Sequence, residues 1–222
     1  MTSIVVSSGD VQGGLFGTNN SSARTERYEI AGPDIVYLPG YLDANRSVAW
    51  FRSLHADLPW RQETLTMYGD IVPVPRLSSW HGDAQRAYTY SNIEMHPLAW
   101  TPLLLDIKAV VEPIAGCSFN SVLCNLYRDG SDSVAWHADD ERELGLTPTI
   151  ASVSLGVTRK FQLRSNVKPV IRHDLDVAHG SVLIMRGESQ RTWVHQVPKT
   201  KALVGPRINL TFRTIYEVAC PE

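Results

Sequence analysis

The second half of the chain alternates apolar and polar residues in short segments, and this pattern limits the possible folds most. In the first segment one side of a strand carries Val122, Cys124 and Leu126, and the other carries Leu123, Asn125 and Tyr127. Further short strands are predicted at residues 150–157, 160–163, 181–185 and 207–215. Because no helical segments separate these strands in a βαβ rhythm, the pattern predicts an antiparallel sandwich or barrel with helices packed outside it.

The first half of the chain contains two predicted helices. Asp43 can cap the first, whose apolar positions recur at helical spacing, namely Val48, Phe51 and Leu54. The second has Thr101 as its cap and runs over residues 102–113. Residues 60–95 lie between them and are rich in Pro, Gly, Ser and aromatic residues, so we expect strands and loops there.

The composition is that of an ordinary globular protein. At 222 residues, 43% hydrophobic and 20% charged, the chain is long enough for one domain with a sizeable core. Residues 1–26 are rich in Ser, Gly, Asn and Thr and are expected to form a flexible arm before a single domain at 27–222. The sequence has three cysteines without a CxxC pair, and we find no signal-peptide pattern and no apolar run of about 20 residues in it. These features favour a cytoplasmic protein without a membrane partner. The protein is also expected to be a monomer.

The net charge of −2 excludes a protein that is basic throughout, so a nucleic-acid partner would need a local basic patch. One basic run without an acidic residue contains Arg159, Lys160, Arg164, Lys168 and Arg172. Such a run can pair with phosphates, although a solvated protein surface carries the same pattern.

A metal site is indicated by His137-Ala138-Asp139. On extended backbone, residues two apart project from the same face, so both side chains can reach one ion. His195 is the best third ligand in the sequence. Two histidines and one carboxylate leave open positions on an octahedral ion, which is the arrangement of non-haem iron(II) oxygenases, although zinc also accepts these ligands.

The segment RINLTFR at residues 207–213 predicts a strand with two different faces. Ile208, Leu210 and Phe212 share the core face, and the opposite face carries Arg207, Asn209, Thr211 and Arg213. Two guanidinium groups on an inner face require an anion, and a dicarboxylate suits two arginines. The alternative is a half-exposed strand with a solvated polar face. By the same parity Asn125 and Tyr127 share a face and can contribute an amide and a phenol to the same ligand, or can be ordinary outward-facing polar positions.

These segments occur together in an ordered set: NLY, DSVAWHADDE, SVSLG, HGSVLIMRGESQRTWVHQVPK and RINLTFR. The set resembles the AlkB family of nucleic-acid dealkylating dioxygenases, over about residues 75–215. The resemblance implies a mainly β protein with flanking helices, in which a double-stranded β-helix (jelly-roll) core at about 118–216 carries a substrate-recognition lid at about 60–95.

The resemblance also implies a reaction and its cofactors, Fe(II), 2-oxoglutarate and O₂. An N-methyl group is hydroxylated and lost as formaldehyde, with succinate and CO₂ as the other products. His137, Asp139 and His195 match the family's catalytic iron ligands. Its 2-oxoglutarate contacts are matched by Asn125, Tyr127, Arg207, Asn209 and Arg213, and the sequence leaves open which arginine binds which carboxylate.

Substrate contacts are expected in the lid and beside the metal. Tyr90 is the expected stacking plate for a flipped base, opposite His137, with Tyr88 as a polar partner and Ser91 beside them. Paired aromatic residues two apart are also ordinary half-buried sheet residues. Asp140 and Glu141 can contact the exocyclic amino group of a cationic methylated base, or can pair with a nearby arginine.

The expected function is oxidative demethylation of bases of the 1-methyladenine and 3-methylcytosine type in alkylated DNA, with RNA as a further substrate left open. One alternative is an iron and 2-oxoglutarate hydroxylase of a small molecule or protein. Another is a jelly roll that binds metal or nucleic acid without turnover. A complete ligand triad together with two arginines disfavours a pure binding protein, because binding alone requires neither an open metal position nor a dicarboxylate site.

Overall fold

The computed structural model describes residues 26–30, 34–67, 69–84, 88–90 and 93–216 of the chain; for residues 67, 88–90 and 93–95 it describes the backbone alone. The predicted N-terminal arm lies outside the described residues apart from Glu26, and so does Ser91. No helix in the described part of the chain is long and apolar enough to cross a bilayer.

The two predicted helices are present, with the predicted caps. Helix α1 spans Ala44–Asp57, and the Asp43 carboxylate accepts a hydrogen bond from the Arg46 amide at 2.8 Å. Helix α2 spans Pro102–Ala115 and is capped by Thr101. It continues two residues past Pro113, to a left-handed Gly116 with φ of 73°.

The buried face of α1 differs by one position from the predicted face. Ser47, Trp50 and Leu54 are buried, whereas Val48 is 41% exposed. Both sets recur at helical spacing, so periodicity alone did not distinguish them. Trp50 is the largest apolar side chain of the helix, and its contact with the sheet sets the rotation of α1.

The core is a sandwich of two antiparallel sheets. The larger has the order β1-β2-β13-β10-β15-β8-β5. Its strands are β1 Tyr28–Glu29, β2 Ile35–Leu38, β5 Leu77–Gly82, β8 Ser121–Tyr127, β10 Ile150–Gly156, β13 Ser181–Met185 and β15 Arg207–Arg213. The smaller has the order β12-β11-β14-β9, formed by β9 Val134–His137, β11 Arg159–Ser165, β12 Arg172–Val177 and β14 Trp193–Val197. This is the predicted jelly-roll architecture.

Two hairpins lie in the predicted lid region. One joins β3 Thr64–Met67 to β4 Asp70–Pro73, and the other joins β6 Tyr88–Tyr90 to β7 Ile93–Met95. A 3₁₀ turn at Arg142–Leu144 and a short helical turn α3 at Ser189–Thr192 connect strands elsewhere. The sequence patterns predicted strands in the lid, but did not predict β12 or β14. Both strands lie in the smaller sheet. Exposed polar residues alternate along β12, and the adjacent polar residues His195 and Gln196 interrupt the apolar residues of β14.

Apolar residues pack on both faces of the larger sheet. On its outer face Ile208, Leu210 and Phe212 pack with residues of α1 and α2, and all three are fully buried. Its inner face packs against the smaller sheet through a second cluster that includes Tyr127 and Phe161. The polar residues of β8 and β15 therefore point into the space between the sheets.

Candidate active site

The structure brings the three predicted metal ligands together between the sheets. His137 ends β9, Asp139 follows two residues later, and His195 lies in the middle of β14, where it pairs in register with His137. One ligand atom from each side chain lies within 4.8 Å of the others. Two imidazoles and one carboxylate at this spacing fit a single ion and leave part of its coordination sphere open.

Hydrogen bonds and neighbouring charges give the triad a tautomer and charge states that suit the binding of a cation. His137 Nδ1 lies 2.8 Å from the Ala135 carbonyl, which makes Nδ1 the protonated nitrogen and leaves the Nε2 lone pair free. Burial lowers the pKa of His195 to about 4, so its imidazole is neutral at pH 7. Burial acts to raise the pKa of Asp139, but the Arg213 guanidinium and the two histidines outweigh it and hold that pKa below its ordinary value.

Gln190 in α3 fixes the backbone of the carboxylate ligand. Its Oε1 accepts a hydrogen bond from the Asp139 amide at 2.9 Å, and its side chain is 3% exposed. Sequence reasoning missed this residue, because the two partners are separated by 51 positions and no local pattern connects them.

The polar face of β15 is buried, so the alternative of a solvated polar face is wrong. Arg207 is 1% exposed, and Asn209 and Thr211 are nearly as buried. Arg213 is partly buried and donates from Nη2 to Asp139 Oδ1 at 2.9 Å. β15 thus places Arg213 beside the metal triad and Arg207 at the other end of the strand. On an extended backbone the Cα atoms of these two arginines are roughly 20 Å apart.

Arg207 is a buried cation without a carboxylate. Its Nη2 donates to Ser154 Oγ at 2.8 Å, and its Nε and Nη1 have no hydrogen-bond partner in the described residues. Its guanidinium carbon lies 5.2 Å from the centre of the Tyr127 ring. Buried unpaired donors on a cation are costly, so this geometry fits an anionic ligand such as a carboxylate of 2-oxoglutarate.

The predicted amides lie side by side in the sheet. Asn125 on β8 pairs in register with Asn209 on β15. The Asn209 amide donates to Ser152 Oγ at 2.8 Å, while Asn125 Oδ1 accepts from Arg76 Nε at 2.7 Å. Arg76, in the lid region, is a second residue that sequence reasoning missed. The same face therefore carries Tyr127, Arg207 and both amides.

The predicted substrate residues are described to different extents. Tyr88 and Tyr90 both lie on β6, but the structure describes only their backbone. Asp140 is exposed, and Glu141 has a buried Oε2 without a hydrogen-bond partner. Within the described part of the chain neither Asp140 nor Glu141 forms an ion pair, so the expected alternative of a salt bridge to arginine is not observed there.

The predicted basic patch is smaller than the sequence indicated. Arg159 is 3% exposed and donates to main-chain carbonyls, so it does not belong to a surface patch. Lys160 pairs with Asp176 at 3.3 Å. Lys168, which is exposed, remains together with Arg164 and Arg172. The two arginines lie opposite each other on β11 and β12, with the Arg164 guanidinium 4.6 Å from the centre of the Trp136 ring.

A site with two histidines and one carboxylate inside a jelly roll defines a class of protein, the non-haem iron oxygenases. The sequence profile of the 2OG-Fe(II) oxygenase superfamily matches residues 34–213. AlkB homolog 3 of Bos taurus is 45% identical over 187 residues, covering 80% of this chain and 65% of that protein. The DNA oxidative demethylase ALKBH2 of Arabidopsis thaliana is 36% identical over 210 residues, covering 83% of this chain and 67% of that protein.

The chain therefore belongs to the AlkB family within the 2OG-Fe(II) oxygenase superfamily. It spans about two-thirds of the length of the AlkB homolog 3 relatives that it matches. The solved structure of OsALKBH1 superposes with a TM-score of 0.57 at 20% identity, covering 84% of this chain and 99% of that one, which supports the same fold. Family membership implies Fe(II), 2-oxoglutarate and O₂ as cofactor and co-substrates, and the triad and the unpaired Arg207 fit them.

Proposed function

We propose that this protein oxidatively demethylates N-alkylated bases of the 1-methyladenine and 3-methylcytosine type in DNA. The observation that carries the proposal is the joint presence, on facing sheets, of the His137, Asp139 and His195 triad and a buried Arg207 whose Nε and Nη1 have no partner in the described residues. The names of the relatives, a dioxygenase and a DNA oxidative demethylase, agree with it. The alternative, hydroxylation of a small molecule or protein, uses the same cofactors.

Three residues would hold the iron and two arginines the co-substrate. His137 Nε2, Asp139 and His195 supply the metal ligands. Arg213, which contacts Asp139, would face the metal-chelating end of 2-oxoglutarate, and Arg207 the distal carboxylate. Asn125, Tyr127 and Asn209 lie on the same face and would complete the co-substrate site. When bound, iron with 2-oxoglutarate and O₂ supplies the oxidising chemistry that turns an N-methyl group into an N-hydroxymethyl group, with succinate and CO₂ as products.

The rest of the reaction is ordinary bond cleavage in the substrate. The bond between the base nitrogen and the hydroxymethyl carbon breaks, and its electron pair stays on the nitrogen. The hydroxyl proton is lost as the carbon leaves as formaldehyde, and the nitrogen of the restored base is neutral or regains a proton. The protein's part is to orient the methyl group and to exclude water from the space between the sheets.

Residues near the triad suit a cationic base. Glu141 has a buried carboxylate oxygen without a partner, two residues past Asp139, where it can accept a hydrogen bond from an exocyclic amino group. Its negative charge also favours the positive charge of a methylated adenine or cytosine. Tyr90, on β6 of the lid, is proposed as the stacking plate, with Tyr88 on the same strand as a polar partner. Ser91, which follows Tyr90 in the sequence, is proposed as a further substrate contact.

A basic strand pair supports a nucleic-acid partner. Arg164 and Arg172 face each other across β11 and β12, and in the described part of the chain neither has a carboxylate partner. Like charges directly opposite each other in a sheet are destabilising, and a phosphate between them would remove that repulsion. Trp136, against which Arg164 stacks, directly precedes His137 on β9, so this patch lies on the outer face of the smaller sheet, opposite to the metal ligands.

Formaldehyde release from a methylated oligonucleotide tests the proposal. The protein is incubated with Fe(II), ascorbate, O₂ and an oligonucleotide carrying 1-methyladenine or 3-methylcytosine, with and without 2-oxoglutarate. Release that requires 2-oxoglutarate supports demethylation, and parallel DNA and RNA oligonucleotides rank the two nucleic acids. Succinate formation without formaldehyde would favour the hydroxylase alternative, and no succinate at all would contradict both.

A further inference from the structure

The guanidinium group of Arg159 ties together the ends of the two metal-binding strands. Arg159 begins β11 and is almost fully buried. Its Nη1 donates to the Asp129 carbonyl at 2.8 Å, and its Nη2 donates to the carbonyls of Asp132 at 2.8 Å and Pro198 at 2.9 Å. These carbonyls lie in the loop that precedes β9 and just after β14, which are the strands that carry His137 and His195.

Arg159 also contacts the proposed co-substrate site through Tyr127. The centre of the Tyr127 ring lies 5.7 Å from the guanidinium carbon of Arg159 and 5.2 Å from that of Arg207. The two guanidinium carbons are therefore no more than about 11 Å apart, and both cations are in reach of one buried aromatic ring. Arg159 thus helps to hold the ring on which Arg207 lies.

No carboxylate in the described residues forms a direct ion pair with Arg159, and Asp129 and Asp132 act on it only at longer range. Asp132 accepts two hydrogen bonds from the Arg128 guanidinium, at 2.8 and 2.9 Å, and Asp129 accepts from Ser131. Within the described residues no carboxylate lies in ion-pair distance of Arg159 or Arg207. Two buried positive charges without a bound anion are costly, so the space between the sheets is prepared for a ligand with more than one negative charge.

We propose that Arg159 is a positioning residue for the co-substrate, which fixes Tyr127 and adds a second positive charge toward the distal carboxylate of 2-oxoglutarate. The inference rests on the proposed function of the site. A unit charge about 11 Å from an anion, in a protein with an effective dielectric constant of about 20, changes the affinity for that anion roughly tenfold. The effect concerns the distal carboxylate, because the metal-chelating end lies with Arg213 at the opposite end of β15.

Two acids of equal chain length separate charge from packing. The Mn(II)-loaded protein is titrated calorimetrically with 2-oxoglutarate and with 2-oxopentanoate, which lacks the distal carboxylate. We expect Arg159→Gln to bind 2-oxoglutarate roughly tenfold more weakly and to bind 2-oxopentanoate nearly as the unmodified protein does. Arg159→Lys keeps the charge and should keep the ratio of the two affinities within about threefold. Lys160→Gln, which removes a charge from the neighbouring exposed position, should change neither affinity.

Each other outcome has a definite meaning. Equal weakening of both acids by Arg159→Gln would reduce Arg159 to a packing role and overturn the inference. If Arg159→Gln does not fold, Arg159→Lys is measured in its place. A roughly tenfold fall in the ratio of its affinities for 2-oxoglutarate and 2-oxopentanoate would then overturn the inference. If the unmodified Mn(II) protein binds neither acid, the proposed co-substrate site is itself wrong. If it binds both and releases no formaldehyde from methylated DNA, the error lies in the substrate and not in Arg159.

Discussion

Arg213 Nη2 donates a hydrogen bond to Asp139 Oδ1 at 2.9 Å, across 74 positions of sequence. The same carboxylate oxygen lies 3.8 Å from His137 Nε2. The strand predicted to bind the co-substrate is therefore joined directly to the carboxylate predicted to bind the metal. Arg213 keeps this buried carboxylate ionised, which is the form that a metal requires.

Replacing Arg213 should remove two functions at once. Arg213→Gln leaves the Asp139 carboxylate buried and without its ion-pair partner. This costs about 3–5 kcal/mol, which lowers the metal affinity or the free energy of unfolding. We expect a loss of 2-oxoglutarate-dependent succinate formation of about 100-fold or more and weaker Mn(II) binding, with partial retention in Arg213→Lys. Arg191→Gln, at an exposed pair with Glu188, is the matched control. Normal turnover at ordinary 2-oxoglutarate concentrations would show that Arg213 is dispensable.

His137→Ala should abolish turnover and spare the fold. The His137 side chain is 36% exposed, so its removal creates no core cavity, and the change in the free energy of unfolding should be within about 1 kcal/mol. Thermal unfolding and formaldehyde release are measured on the same preparation. His173→Ala, on β12 at the opposite edge of the smaller sheet, should stay active. Retained demethylation by His137→Ala would refute the role of His137 as a ligand.

Tyr90→Ala should separate substrate binding from co-substrate turnover. A lost base stack costs about 1–3 kcal/mol, so demethylation of an oligonucleotide at subsaturating concentration should fall roughly 5- to 150-fold. Succinate formed in the absence of oligonucleotide should not change, because 2-oxoglutarate does not need the lid hairpin. Tyr28→Ala on β1 serves as the control. An unchanged rate on the oligonucleotide would exclude stacking by Tyr90.

The Arg164 and Arg172 pair should set the salt dependence of nucleic-acid binding. Changing both to Gln removes two phosphate contacts, which should lower the slope of log affinity against log salt by about 1.4 for single strands and about 1.8 for duplex. Fluorescence anisotropy with an unmodified oligonucleotide measures the slope. Lys160→Gln on the same strand should leave it unchanged, since Lys160 pairs with Asp176. Equal slopes in the double variant and the unmodified protein would place the phosphate contacts elsewhere.

His81 should make stability depend on pH in the acidic range. Burial lowers the pKa of His81 from 6.5 in spite of its hydrogen bond to the Ala99 carbonyl. The unfolded chain then binds more protons than the folded protein just below pH 6.5, so the free energy of unfolding falls as the pH decreases through this range. Urea titrations from pH 7.5 to 5 should show a smaller decrease in His81→Gln. Equal pH dependence in both proteins would mean that His81 does not titrate differently on folding.

The sequence by itself determined the local features and the chemical residues. The side-chain oxygens of Asp43 and Thr101 cap their helices through bonds to residues three positions later, so short-range geometry was sufficient. The two faces of β15 followed from the period of a strand. Spacing placed His137 and Asp139 together for the same reason.

The tertiary structure decided which polar residues are buried and what they contact. Arg159 had the sequence signature of a surface cation, and only the packing of β11 against two loops made it a buried one. Gln190 and Arg76 carry no local signal, because their partners Asp139 and Asn125 lie on distant strands. Periodicity reports which side of an element a residue occupies, whereas burial depends on what the rest of the chain packs against that side.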